Sequence, residues 1–140
     1  MSPSGYSGTP LHKKLGLKAG SRLTLIGAPA GWSVPELPPE SKSRRARTAT
    51  FEARVQGDVG LAFFKRLVTL RSAIGDLGER IHPDGALWVA WPRRAGGHVS
   101  DISEQDIRDV ALPLGLVDVK VAALDEDWSG LRLVWRRERR

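Results

Sequence analysis

Six consecutive apolar residues, Ala86-Leu-Trp-Val-Ala-Trp91, lie between a turn at Pro83-Asp84-Gly85 and a stop at Pro92. Such a run is apolar on every residue rather than every second one. It therefore reads as a strand buried on both faces, the central strand of a parallel sheet. The turn and the proline leave too little length for a buried helix. Both faces of such a strand need cover, so the segments on either side should supply helices.

They carry the right patterns. Leu67, Leu70, Ile74, Leu77 and Ile81 recur at three- and four-residue spacing, which predicts a helix from Lys65 to Arg80 with one apolar face. Val59 to Phe64 before it reads as another buried strand, so strand, helix and central strand make a crossover unit. After the central strand, Arg93-Arg-Ala-Gly-Gly-His98 is a basic loop. Ser103-Glu-Gln-Asp106 then has the form of a capping box, opening a helix with Ile107, Val110, Ala111 and Leu114 inward. Pro113 should distort its last turn and Gly115 should end it. Leu116 to Leu124, with Val117, Val119 and Val121 on one face, and Leu131 to Arg136 then predict an antiparallel hairpin at the sheet edge.

The first half is less regular. Met1 to Pro10 is rich in Ser, Gly and Pro, and mobility is expected there. Leu11 and Leu15 suit one side of a short helix capped by Gly16, with Lys13 and Lys14 pointing outward. Ser21 to Ile26 is the first core strand. Pro35 to Thr50 reads as a long, basic, disordered surface loop. Phe51 to Val55 alternates as a half-buried edge strand would. Residues 1–140 thus predict a single α/β domain: a three-layer, Rossmann-like, mostly parallel sheet with an antiparallel C-terminal hairpin.

Composition narrows the functions. With no cysteine, disulfides, thiolate metal sites and cysteine nucleophiles are excluded. His12, His82 and His98 have no zinc-ligand spacing, and no G-x-S-x-G elbow exists. No metal and no cofactor is therefore expected. No stretch is long and apolar enough for a membrane helix, and the first residues lack a signal-peptide pattern, so the expectation is a cytoplasmic protein. Lys and Arg number 22 against 16 acids, a net charge of +6. Arg44, Arg45 and Arg47 form one cluster; Arg136 and Arg137, followed by Arg139 and Arg140, form another. Both are candidates for polyanion or nucleic-acid contact through phosphates, or are simply solvated. Asp125-Glu-Asp127 lacks the ligand spacing of a calcium loop and reads as an acidic turn with Trp128 folded back.

In open α/β sheets, ligands bind outside the carboxyl ends of the parallel strands. On that rim the sequence places Gly27, Ala28 and Trp32 after the first strand, Trp91, Arg93 and Arg94 after the central one, and the capped helix start at Ser103. They are candidates to line a pocket for a flat anionic ligand. The loop lacks G-x-G-x-x-G spacing, and Pro29 removes a donor.

Several stretches carry a family resemblance: Gly8-Thr-Pro-Leu-His-Lys-Lys-Leu-Gly16, Gly85 to Pro92, Val110 to Lys120 and Trp128 to Trp135. They resemble the bacterial domain-of-unknown-function family 3052, from which Glu40 to Thr50 departs. That family has no established activity, so the resemblance implies no catalytic residues. At the level of fold, the order of elements from Val59 onward resembles the second half of a class I methyltransferase, without its glycine-rich cofactor motif. That resemblance implies a shortened relative that has lost cofactor binding. The leading expectation is a non-catalytic binding or protein-interaction domain. The alternatives are polyanion binding through the arginine clusters, and a shortened S-adenosylmethionine methyltransferase-like enzyme.

Overall fold

The structure, a computed structural model, describes residues 8–140. Expectations for Met1 to Ser7 lie outside the described residues. Six strands form one sheet in the order β2-β1-β3-β4-β6-β5: β1 (Arg22–Ile26), β2 (Lys42–Ala46), β3 (Asp58–Phe63), β4 (Ala86–Pro92), β5 (Leu116–Ala123) and β6 (Trp128–Trp135). The first four run parallel. The last two form the expected hairpin, with β6 inserted antiparallel beside β4 and β5 at the edge. The apolar run Ala86 to Trp91 is buried throughout and lies between β3 and β6.

One face of the sheet is covered by α2 (Leu67–Ile81) and α3 (Glu104–Ala111). Leu70, Ile74, Leu77 and Ile81 of α2 and Ile107 and Ala111 of α3 pack there on Leu87, Val89, Leu131 and Leu133. Full burial of each such side chain contributes about 1.5–3 kcal/mol. The capping box is formed: Ser103 Oγ accepts from Asp106 N, and Asp106 Oδ2 accepts from Ser103 N at 2.9 Å. Past α3, Pro113 sits in a 3-10 turn and Gly115 closes it at φ +103°.

The other face is thinly covered. The short α1 (Leu11–Lys14) and the connection after β1 place Leu11, Leu15, Leu17 and Val34 on Leu23, Leu61, Phe63 and Trp88. Trp88 is fully buried, and its Nε1 donates to Leu15 O at 3.1 Å. The third layer is therefore one helical turn and a loop, pinned by an indole.

Four expectations change. Pro35 to Thr50 is not a disordered loop: β2 lies within it, paired with β1 from Arg22↔Lys42 to Ile26↔Ala46. Its side chains are nearly all exposed, so backbone pairing rather than burial orders it. Phe51 to Val55 alternates but pairs with no strand; Phe51 and Ala53 are buried as a coil segment over the helical face. Lys14 does not point outward: it is buried and donates to Ala123 O at 2.7 Å. Finally, the β5 register shifts between Asp118 and Lys120, which breaks the alternation and leaves Val119 and Val121 exposed on the edge strand.

Candidate functional site

The strand order reverses between β1 and β3: β2 follows β1 on one side and β3 lies on the other. The crevice at the carboxyl ends of β1 and β3 is the usual ligand position of such a sheet. Gly27 leaves β1 at φ +69°, and a Cβ there would lie 3.3 Å from Phe63 O. The backbone therefore turns tightly against the end of β3, where only glycine is comfortable.

The loop after β1 folds over the end of β3. Trp32 meets Phe63 edge-on with ring centres 4.9 Å apart, and Trp128 meets the same Phe63 at 4.9 Å. Trp32 Nε1 donates to Asp125 Oδ2 at 3.0 Å. Arg45, at the end of β2, donates to the carbonyls of Ala28 (3.3 Å), Pro29 (3.2 Å) and Trp32 (2.6 Å). Asp125 Oδ1 accepts from the N–H groups of Asp127 and Trp128, both at 2.8 Å. The acidic turn is thus a loop organiser that holds both tryptophans. Composition marked Asp125 only as one of three acids; its role depends on a 93-residue contact invisible in sequence.

Of the other rim candidates, Trp91 and Arg93 lie together and Arg94 is exposed beside them. Trp91 packs on the helical face and Trp32 on the other, so the two tryptophans do not share a pocket. Arg93 is buried, its Nη1 donating to Asp125 O at 2.8 Å and Glu126 O at 3.3 Å. Ser103 is spent on the cap, while its neighbour Glu104 faces a rim cavity of about 550 Å³ with Trp91, Arg93, Lys14 and Lys120. Burial holds the Lys14 ammonium below its usual range, and the positive charge of Arg93 adds to the effect.

The two arginine clusters do not form one surface. Arg44, Arg45 and Arg47 belong to β2 and its end, at one edge of the sheet; Arg136 and Arg137 follow β6, with β1, β3 and β4 between the two. Lys42, Arg44 and Arg45 also blunt an otherwise open strand edge. Among the described residues no group of three His, Asp or Glu could hold a metal ion, and no helix is long and apolar enough to cross a membrane.

Comparison with solved structures defines the class of fold: the Rossmann-like fold of class I S-adenosylmethionine methyltransferases. The N-methyltransferase NodS from Bradyrhizobium japonicum WM9 superimposes with TM-score 0.52 at 18% identity, over 91% of this chain and 93% of that one. An S-adenosylmethionine-dependent methyltransferase from Aquifex aeolicus gives 0.55 at 13% identity, over 86% and 85% of the two chains. The magnesium protoporphyrin IX methyltransferase of Synechocystis PCC 6803 gives 0.55 at 11%, over 84% and 71%. The likeness therefore spans nearly the whole chain, not the second half of the fold alone. No protein-family model matches, so the resemblance to family 3052 gains no support there, and no curated protein matches.

The cofactor that this fold implies does not fit the crevice as it stands. Trp32 packs on Phe63 at the end of β3, and Pro29 offers no N–H. The end of β2 presents Arg45, Ala46 and Arg47 rather than an acid, although an acid in that region is what takes a ribose hydroxyl in dinucleotide-binding sheets.

Proposed function

We propose that this chain is an S-adenosylmethionine methyltransferase-like protein whose ligand enters at the carboxyl ends of β1 and β3. The observation that carries the reading is the topology: the strand order reverses at β1 and β3 within a sheet that overlays on methyltransferases along nearly its full length. Entry requires the Gly27–Trp32 loop to swing away from Phe63. Arg45 is exposed, and each of its three bonds contributes only about 0.5–1.5 kcal/mol. Ligand contacts must also offset the loss of the Trp32–Asp125 bond and of the Trp32–Phe63 packing.

The same closure favours a second reading, a methyltransferase scaffold without cofactor that acts by binding a partner. Calorimetry with S-adenosylmethionine and S-adenosylhomocysteine separates the two. Under the first reading, the wild type binds or Trp32→Ala gains binding. Silence from both proteins at millimolar ligand leaves the scaffold reading. A role for Arg44, Arg45 and Arg47 in holding a polyanion predicts affinity for a short nucleic-acid duplex that falls steeply with salt.

A further inference from the structure

A second cavity, about 710 Å³, opens at the amino ends of β1, β3 and β4, opposite the crevice. Its size is within the usual range for small-molecule pockets, about 300–1,000 Å³. Its walls include Gly16, Lys18, Asp58, Asp84, Arg132 and Arg140. Arg132 is opposite Trp88 in the β4–β6 ladder. Leu131 and Leu133 on either side of it pack on the helical face, so strand alternation sends Arg132 to the thinly covered face. There it lies against the turn that ends α1. A Cβ on Gly16 would stand 2.8 Å from Arg132 Nη1, so a glycine is what admits the guanidinium.

Arg132 is a cation without an anion. Its Nε is sealed from solvent and has no hydrogen-bond partner, and no carboxylate pairs with it among the described residues. Burial pulls the guanidinium below its usual range. The guanidinium as a whole is half-buried, and what burial removes from its solvation no ion pair replaces. The acids on the cavity wall do not answer it. Asp58 gives both its oxygens to Arg22, at 2.8 and 2.6 Å, and Asp84 stands exposed on the wall. Lys18 and Arg140 add positive charge to the same cavity.

We propose that this cavity is an anion site, in which Arg132 receives the carboxylate or phosphate group of a small organic ligand and Lys18 supplies a second cation. With Nε sealed, the ligand meets the terminal guanidinium nitrogens. Planar donors of this kind suit carboxylate and phosphate oxygens alike. The site is independent of the β1–β3 crevice, which lies at the other end of the strands.

Inorganic phosphate and glutarate, titrated separately into the full-length protein, probe the two anion chemistries. The readouts are calorimetry and the NMR signal of the Arg132 Nε–H. Saturable binding of either anion that shifts this signal, and that weakens more than tenfold in Arg132→Met, is the expected result. Phosphate and carboxylate ligands are told apart by which of the two binds tighter. Arg132→Met keeps the length and removes the unpaired charge, so it should fold at least as stably as the wild type. Should it fail to fold, the Nε–H shift in the wild type decides alone. No saturable binding of either anion, binding equal in both proteins, or an unmoved Nε–H signal would overturn the proposal. Trp32→Ala should leave anion binding unchanged, which separates failure here from failure of the methyltransferase-like reading.

Discussion

Trp88 sets how firmly the thin layer is held, and Trp88→Phe tests it. The indole is fully buried, and its Nε1 donates to Leu15 O across 73 residues of sequence. Phenylalanine keeps an aromatic ring but donates nothing. The Leu15 carbonyl then stays buried without its donor, at a cost of about 1–3 kcal/mol. The missing second ring opens more than one methyl-sized void, at about 1 kcal/mol each. The expected loss is therefore roughly 2–5 kcal/mol, against about 5–15 kcal/mol for a typical domain. Urea unfolding followed by circular dichroism measures it: the midpoint should fall while the slope stays unchanged. Gly16 directly follows Leu15, so anion binding at Arg132 should weaken in the same variant. A loss below about 1 kcal/mol would refute the view that this bond pins α1 to the sheet.

Other substitutions probe other parts of the structure. Gly60→Ala would set a Cβ within 2.3 Å of the buried Phe51 ring, and overpacking of this kind should cost about 1–3 kcal/mol in the same unfolding assay. Ser103→Ala removes the cap of α3 and should cost about 0.5–2 kcal/mol, with faster amide exchange confined to its first turn. Arg108 donates to Asp118 at 2.9 Å and holds that carboxyl below its ordinary range. A depressed folded value means the stabilisation is present above about pH 4, the unfolded value, and is lost as pH falls through the lower folded one. Asp118→Asn should therefore lower the urea midpoint slightly at neutral pH and flatten the acid limb below about pH 4. Asp125→Ala removes the acceptor of Trp32 Nε1 and should red-shift tryptophan emission as the loop loosens.

Most of the fold was legible because most of its elements are defined by burial. The apolar run at β4, the spacing along α2 and the capping box of α3 are each a local pattern with one physical meaning, and each appears where it was expected. β2 escaped because an edge strand with exposed side chains carries no apolar signal; what orders Lys42 to Ala46 is the backbone of β1. Phe51 and Ala53 show the reverse case. Alternating burial was there, but Gly60 offers Phe51 a seat on the face of the sheet, so the segment covers the sheet instead of joining it. The site was legible only as a rim. That Trp32 and Trp91 lie on opposite faces, that Lys14 is a buried cation, and that the Nε of half-buried Arg132 is sealed from solvent, follows from long-range packing that no spacing encodes.

The two ends of the sheet pose opposite energetic problems. At the carboxyl end, each polar group around the crevice has a partner: Arg45 has three carbonyls, Trp32 has Asp125, and Arg93 has the acidic turn. A ligand entering there must first displace contacts the chain already makes, so its net affinity is reduced by whatever opening costs. At the amino end the chain leaves Arg132 without a counter-charge beside an open cavity. An anion arriving there breaks no existing protein bond of that guanidinium, so none of its contact energy is spent on opening the site. For equal contacts, the amino-end cavity should be occupied first, and a ligand at the β1–β3 crevice should bind more weakly until the Trp32 loop is released.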